Sequence, residues 1–113
     1  MSDSGSSAIV YFNEVYKIIF FDQNLLWPKV IDLSNQVDAF VVFSSPDGNS
    51  YVALSVRGTG IIVYNMANGK QCALFMCEAT TLNYDKSSCR LIRGTMQGEI
   101  SLMNIVNVHQ WID

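Results

Sequence analysis

Three short apolar runs, each closed by Asp or Asn, recur along this chain: Ile18-Ile19-Phe20-Phe21-Asp22, Ile61-Ile62-Val63-Tyr64-Asn65 and Ile100-Ser101-Leu102-Met103-Asn104. Repetition at a fixed period means a stack or ring of like units, and few other features restrict the fold so strongly. Sliding the sequence against itself by about 39 residues, without gaps, sets Phe43 on Leu82, Val52 on Leu91, Ile61 on Ile100, Val63 on Leu102 and Asn65 on Asn104. A shift of about 43 in the other direction sets the same central run on Ile18 to Asp22.

The unit that repeats is clearest from Phe40 to Gly69. Phe40 to Phe43, Tyr51 to Val56 and Ile61 to Tyr64 are short, rich in β-branched and aromatic residues, and bounded by Gly, Pro, Asp, Asn or Ser, which predicts three strands. Pro46-Asp47-Gly48 supplies a fixed φ and then a residue free to take positive φ, and Gly58 and Gly60 give the next reversal the same freedom. Asn68-Gly69 predicts a type I′ hairpin, so a fourth strand, Gln71 to Cys77, should pair back onto Ile61 to Tyr64. The unit is a four-stranded antiparallel meander.

This pattern resembles the WD40 repeat, whose units run about 40 to 45 residues with four strands each and a Trp-Asp pair closing the third. Phe43-Ser44-Ser45-Pro46-Asp47-Gly48, Val52-Ala53, Gly60-Ile61-Ile62-Val63-Tyr64-Asn65 and Gly69 carry the resemblance, which extends from about Ala8 to Ile112. No copy has the Trp-Asp pair and no Gly-His dipeptide precedes the repeats, so the description is a divergent WD40-like blade. The fold class expected is therefore all-β: antiparallel four-stranded meander blades of a partial WD40-like β-propeller. In this frame residues 1–7 are a disordered tail and residues 8–113 hold the repeats. Residues 8–32 form a partial blade entered at its second strand, residues 37–77 a full blade, and residues 79–112 a further blade with Val106 to Ile112 as its outer strand. Leu25 to Asp32 is either the outer strand of the first blade, with Pro28 tolerated at an unpaired edge, or a loop carrying Trp27 as a packing anchor.

Strand faces set the physical problem. Phe40 to Phe43, Ile61 to Tyr64 and Leu74 to Cys77 are apolar at odd and even positions alike, which implies burial on both faces. A blade between two neighbours meets that demand, but propellers close with four to eight blades. About two and a half blades leave apolar faces and sheet edges open. The rest of a longer protein, further copies of the chain, or a partner that adds strands could cover them.

Charged residues are 15% of the 113, well below the usual quarter, while hydrophobic residues are 50%; so little polar surface points to partners. The net charge of −3 and pI near 4.9 speak against nucleic acid, whose phosphates call for Lys and Arg. No apolar run is long enough to span a bilayer, and MSDSGSSAIVYF lacks the basic region and apolar core of a secretory signal. Three cysteines, an odd number, fit buried thiols in a reducing compartment such as the cytoplasm.

Candidate chemistry is sparse. His109 is the single histidine and no nucleophile is placed beside it. Cys72, Cys77, Cys89 and His109 count to a zinc set but lack a close Cys pair. Asp22, Asp47, Asn65, Asp85 and Asn104 recur at repeat positions, where capping of turns explains them better than acid–base work. Gly58-Thr59-Gly60 has no helix after it and reads as a hairpin, not a phosphate loop. No catalytic residue, metal or cofactor is expected. By the resemblance, the chain is a protein–protein interaction scaffold, a component of a WD40-like propeller in a larger assembly, and Trp27, Arg57, Arg90, Arg93 and Trp111 are candidate contact residues because aromatics and Arg dominate interface energetics. The alternative is a small-ligand binder closed by oligomerisation. It would be lectin-like, with Trp and Tyr rings stacking on sugars, or phosphoinositide-binding, with Ile92-Arg93-Gly94 standing where such relatives carry Phe-Arg-Arg-Gly and Arg90 and Arg93 forming a basic pocket.

Overall fold

The computed structural model describes residues 7–12, 14–22, 27–45 and 48–104. All regular structure within them is antiparallel sheet, as the sequence predicts. The strands are β1 (Ser7–Phe12), β2 (Lys17–Asp22), β3 (Lys29–Asp32), β4 (Val37–Ser44), β5 (Ser50–Val56), β6 (Gly60–Asn65), β7 (Lys70–Phe75), β8 (Thr81–Asp85), β9 (Arg90–Gly94) and β10 (Ile100–Asn104). They form three meanders in chain order: a first sheet β1-β2-β3, a central sheet β4-β5-β6-β7 and a last sheet β8-β9-β10. None of the three closes on itself.

Several boundaries differ from expectation for identifiable reasons. The first hairpin closes between Phe12 and Lys17, with Tyr16 at a left-handed φ of 54° just before β2. The outer strand of the first sheet is four residues long and begins after Pro28, which has no N–H for a ladder. Trp27 lies before that strand and is 76% exposed, so among the described residues it is not a packing anchor. β7 stops at Phe75: the Cys77 N–H turns back to the Phe75 carbonyl at 2.8 Å, and Met76 projects into solvent. Asn68-Gly69 marks a reversal but not a two-residue I′ turn, since only Gly69 has positive φ (71°) and the loop has four residues between the paired Asn65 and Lys70. Ser7, expected in the tail, belongs to β1. The proposed outer strand Val106 to Ile112 lies outside the described residues.

The repeat survives at the level of pairing. Val52 opposite Tyr64 becomes Leu91 opposite Met103 after 39 residues, and Ala53 opposite Val63 becomes Ile92 opposite Leu102. β8 breaks the gapless alignment. Tyr84, not Thr81, sits opposite Leu91, because the β8–β9 turn spans only four residues between Asp85 and Arg90. Phe43 is thus matched by Asp85 and not by Leu82.

The sheets stack face on face around two apolar layers. Between the first and central sheets lie Ile18, Phe20, Val52, Leu54, Val56, Ile62, Tyr64 and Met66, with Phe20 edge-on to Tyr64 at 5.5 Å. Between the central and last sheets lie Phe43, Tyr51, Ala53, Ile61, Val63, Leu82 and Leu91, with Phe43 stacked between Tyr51 and Tyr84. Every residue of β5 and β6 is buried, which is why their sequences carry no polar face. Burial on both faces fails at the edges of the same sheet, where Phe40 on β4 and Leu74 on β7 are about half exposed. At one edge of the stack β4 and β8 approach each other. Gly60 is obligatory here: its φ is 127°, and a Cβ would fall on the Phe75 carbonyl oxygen.

Candidate interaction surfaces

A bulge in β4 and the residue that follows β5 build a polar cleft at the junction of the central and last sheets. Asp38 is the extra residue of a β-bulge, where the ladder steps from Val37–Val56 to Ala39–Ser55. A bulge re-aims a side chain, and the Asp38 carboxylate here takes Arg57 Nη2 at 2.8 Å and Nε at 3.4 Å. These hydrogen bonds and the opposite charge raise the Arg57 pKa above its ordinary value. On the other side Arg93 donates from Nε to the Glu78 carbonyl at 2.6 Å and from Nη1 to Ser101 Oγ at 3.2 Å. The Glu78 carboxylate accepts the Gly58 N–H at 3.2 Å. Asp38, Arg57, Glu78, Arg93 and Glu99 line a cleft of about 520 Å³.

Arg57 and Arg93, two sequence candidates far apart in the chain, therefore meet in one place. Arg90 does not join them. Three positions apart on one strand, Arg90 and Arg93 project from opposite faces: Arg93 shares its side with the buried Leu91, while Arg90 lies opposite Asp85 on the outer face. The basic pocket drawn from this pair is not formed on β9. Carboxylates outnumber guanidinium groups in the cleft, a poor match for a polyphosphate. Asp38 and Glu78 were not candidates from sequence; a bulge leaves no trace in a hydrophobic pattern. Trp27 stands exposed beside β3. Trp111 and His109 lie outside the described residues.

The larger surfaces are the outer faces of the stack. On the first sheet, Val10, Ile19 and Val30 are aligned across all three strands, flanked by Ala8 with Phe21 and by Phe12. Val10, Phe12, Phe21 and Val30 are each 41–51% exposed, and Lys17 and Asp32 pair at the rim at 3.3 Å. On the last sheet, Ile92 and Leu102 lie in line, with Ile100 next to them; Leu102 is 57% and Ile100 75% exposed.

The thiols are explained locally. Cys72 is the extra residue of the β6–β7 bulge and donates to the Val63 carbonyl at 3.4 Å. Cys77 lies 4.0 Å from the Met103 sulfur, and Cys89 closes a turn; none is in a disulfide. Asn65 and Asp85 cap turns, as expected: Asn65 Oδ1 accepts the Ala67 N–H at 2.8 Å, and Asp85 accepts from Ser87 and Ser88. Among the described residues no cluster of His, Cys, Asp and Glu is arranged to hold a metal ion, and no helix is long and apolar enough to cross a membrane.

The sequence matches no known family model and no curated protein. Among solved structures, a protein of unknown function from Bacteroides caccae is similar at a TM-score of 0.41 and 15% identity, over 88% of this chain and 41% of that one. The chain thus spans less than half the length of that structure.

Proposed function

We propose that this chain is a protein–protein interaction module, the partial ring of a WD40-like β-propeller, and that its docking surfaces are the two outer faces of the stack. One observation carries the reading. The outer faces expose apolar residues at the positions that are buried in the central sheet: Ile92, Ile100 and Leu102 correspond at 39 residues to Ala53, Ile61 and Val63, all fully buried. Position by position along β1 and β2, Ala8, Val10, Phe12, Ile19 and Phe21 correspond to Val52, Leu54, Val56, Ile62 and Tyr64, also buried. A residue type selected for burial and left half exposed costs about 25 cal/mol for each Å² of apolar surface in water. A covering protein surface removes that cost; a sugar, which is polar, does not. The acidic balance of the cleft likewise favours a protein partner over a phosphoinositide headgroup.

Site-specific photo-crosslinking tests the reading. A benzoylphenylalanine at Val10 or at Leu102, with one at exposed Asn68 as control, is irradiated in cells expressing the chain. Discrete protein adducts from both faces, absent from the control, are expected. Adduct-free chain at both faces, with a glycan or lipid bound instead, overturns it.

A further inference from the structure

Resting on the propeller reading above, the geometry points to a second copy of this chain as the occupant of both outer faces: the last sheet of each copy packs on the first sheet of the other, and two chains close one ring of six sheets. The position equivalence dictates the pairing. The outer side of the last sheet matches the side of the central sheet that faces forward along the chain, and the outer side of the first sheet matches the side that faces backward. Forward against backward is the contact that the chain already makes twice internally, so a third contact of the same kind joins copy to copy head to tail. The interface is continuous with the established stacking and needs no new surface chemistry.

Charge and area agree. Each outer face carries one opposite-sign couple, Lys17 with Asp32 on the first sheet and Arg90 opposite Asp85 on the last, so neither presents an unbalanced charge to the other. The apolar centre with few charges matches the core of a protein interface. A three-stranded face whose strands run about four to six residues covers roughly 250 Å² in plane, so the four faces sealed in a closed pair amount to roughly 1,000 Å². That meets the roughly 1,000 Å² that a specific interface should clear. Two copies of three sheets give six, inside the four to eight at which propellers close, and a head-to-tail contact that closes makes a discrete particle instead of a fibre.

The test is light scattering on the purified full chain over a range of concentrations, with Val10→Asp, Leu102→Asp and their mixture. The wild-type mass should be twice 12.6 kDa. Each variant spoils one side of both contacts, so each alone should raise the dimer dissociation constant by at least about 100-fold, as expected for burying an unpaired charge. Mixed, the two variants retain one intact contact between them and should form a one-to-one dimer. Val30→Glu and Ile100→Glu replace either variant that does not melt like the wild type. A dimer that survives in one variant alone means a face packed on itself, and overturns the head-to-tail contact. So do a trimer, an open-ended series of masses, or a wild-type monomer with a cooperative melt. A monomer that still gives the protein adducts described above separates failure of this occupant from failure of the docking reading.

Discussion

Three hairpins in this chain share one local solution. The loops between Phe12 and Lys17, Asn65 and Lys70, and Asp85 and Arg90 each have four residues, and the last of the four is left-handed: Tyr16 at 54°, Gly69 at 71° and Cys89 at 56°. Only at Gly69 is the residue suited to that conformation, since a side chain on Cβ crowds the following carbonyl at a cost of about 1–2 kcal/mol. Asn tolerates it by bonding locally. Cys89→Asn should accordingly stabilise the fold by about 0.5–1 kcal/mol, and Cys89→Val should destabilise it; thermal melts of the two against wild type check both signs, and an Asn variant that melts lower would refute the strain. The sequence announces a reversal at Asn68-Gly69 and a capped turn at Asp85. It could not announce that the left-handed position falls to a tyrosine and a cysteine, because nothing in the composition of those loops favours that backbone.

At the scale of elements, pairing of the second and third strands was legible and pairing of the first was not. β5–β6 and β9–β10 keep one register across 39 residues, and both strand pairs carry apolar residues on both faces whether or not the second face is covered. β8 slips by three because its turn is shorter, and turn length is free to vary at a solvent-exposed rim. The same limit hid the cleft. Arg57 and Arg93 were legible as candidates by residue type, but their meeting depends on the Asp38 bulge and on Glu78 in an irregular connection. A buried hydroxyl fixes that connection: Ser55 Oγ accepts the Ala79 N–H at 2.8 Å, and both residues are buried. Ser55→Ala leaves the amide without a partner, at about 1–3 kcal/mol. The expected result is a melting temperature lower by roughly 5–15 °C, together with faster hydrogen exchange at Ala79 and in β8. An unchanged exchange rate there would mean that the last sheet is held by its apolar layer alone.

For the molecule as a whole, stability rests on stacking of open sheets, so a group between two sheets reports on whether they separate. Tyr64 is such a group: it lies in the layer between the first and central sheets, against Phe20, and burial raises its phenol pKa above the ordinary 10.0. The folded chain then holds the proton at a pH where the unfolded chain has released it. Between the two pKa values the folded state binds more protons, so stability falls as pH rises, and the contribution is complete below pH 10. Melting temperature should therefore decline above about pH 10 more steeply in wild type than in Tyr64→Phe, which has no proton to lose there. Because the ionised ring would lie between β2 and β6, the amides of β1 to β3 should lose hydrogen-exchange protection before those of the central sheet. Parallel alkaline declines in the two proteins would show that phenol burial does not govern this layer. Uniform loss of protection across all three sheets would show that the stack opens as one unit, so that the first sheet has no separate stability for a covering partner to restore.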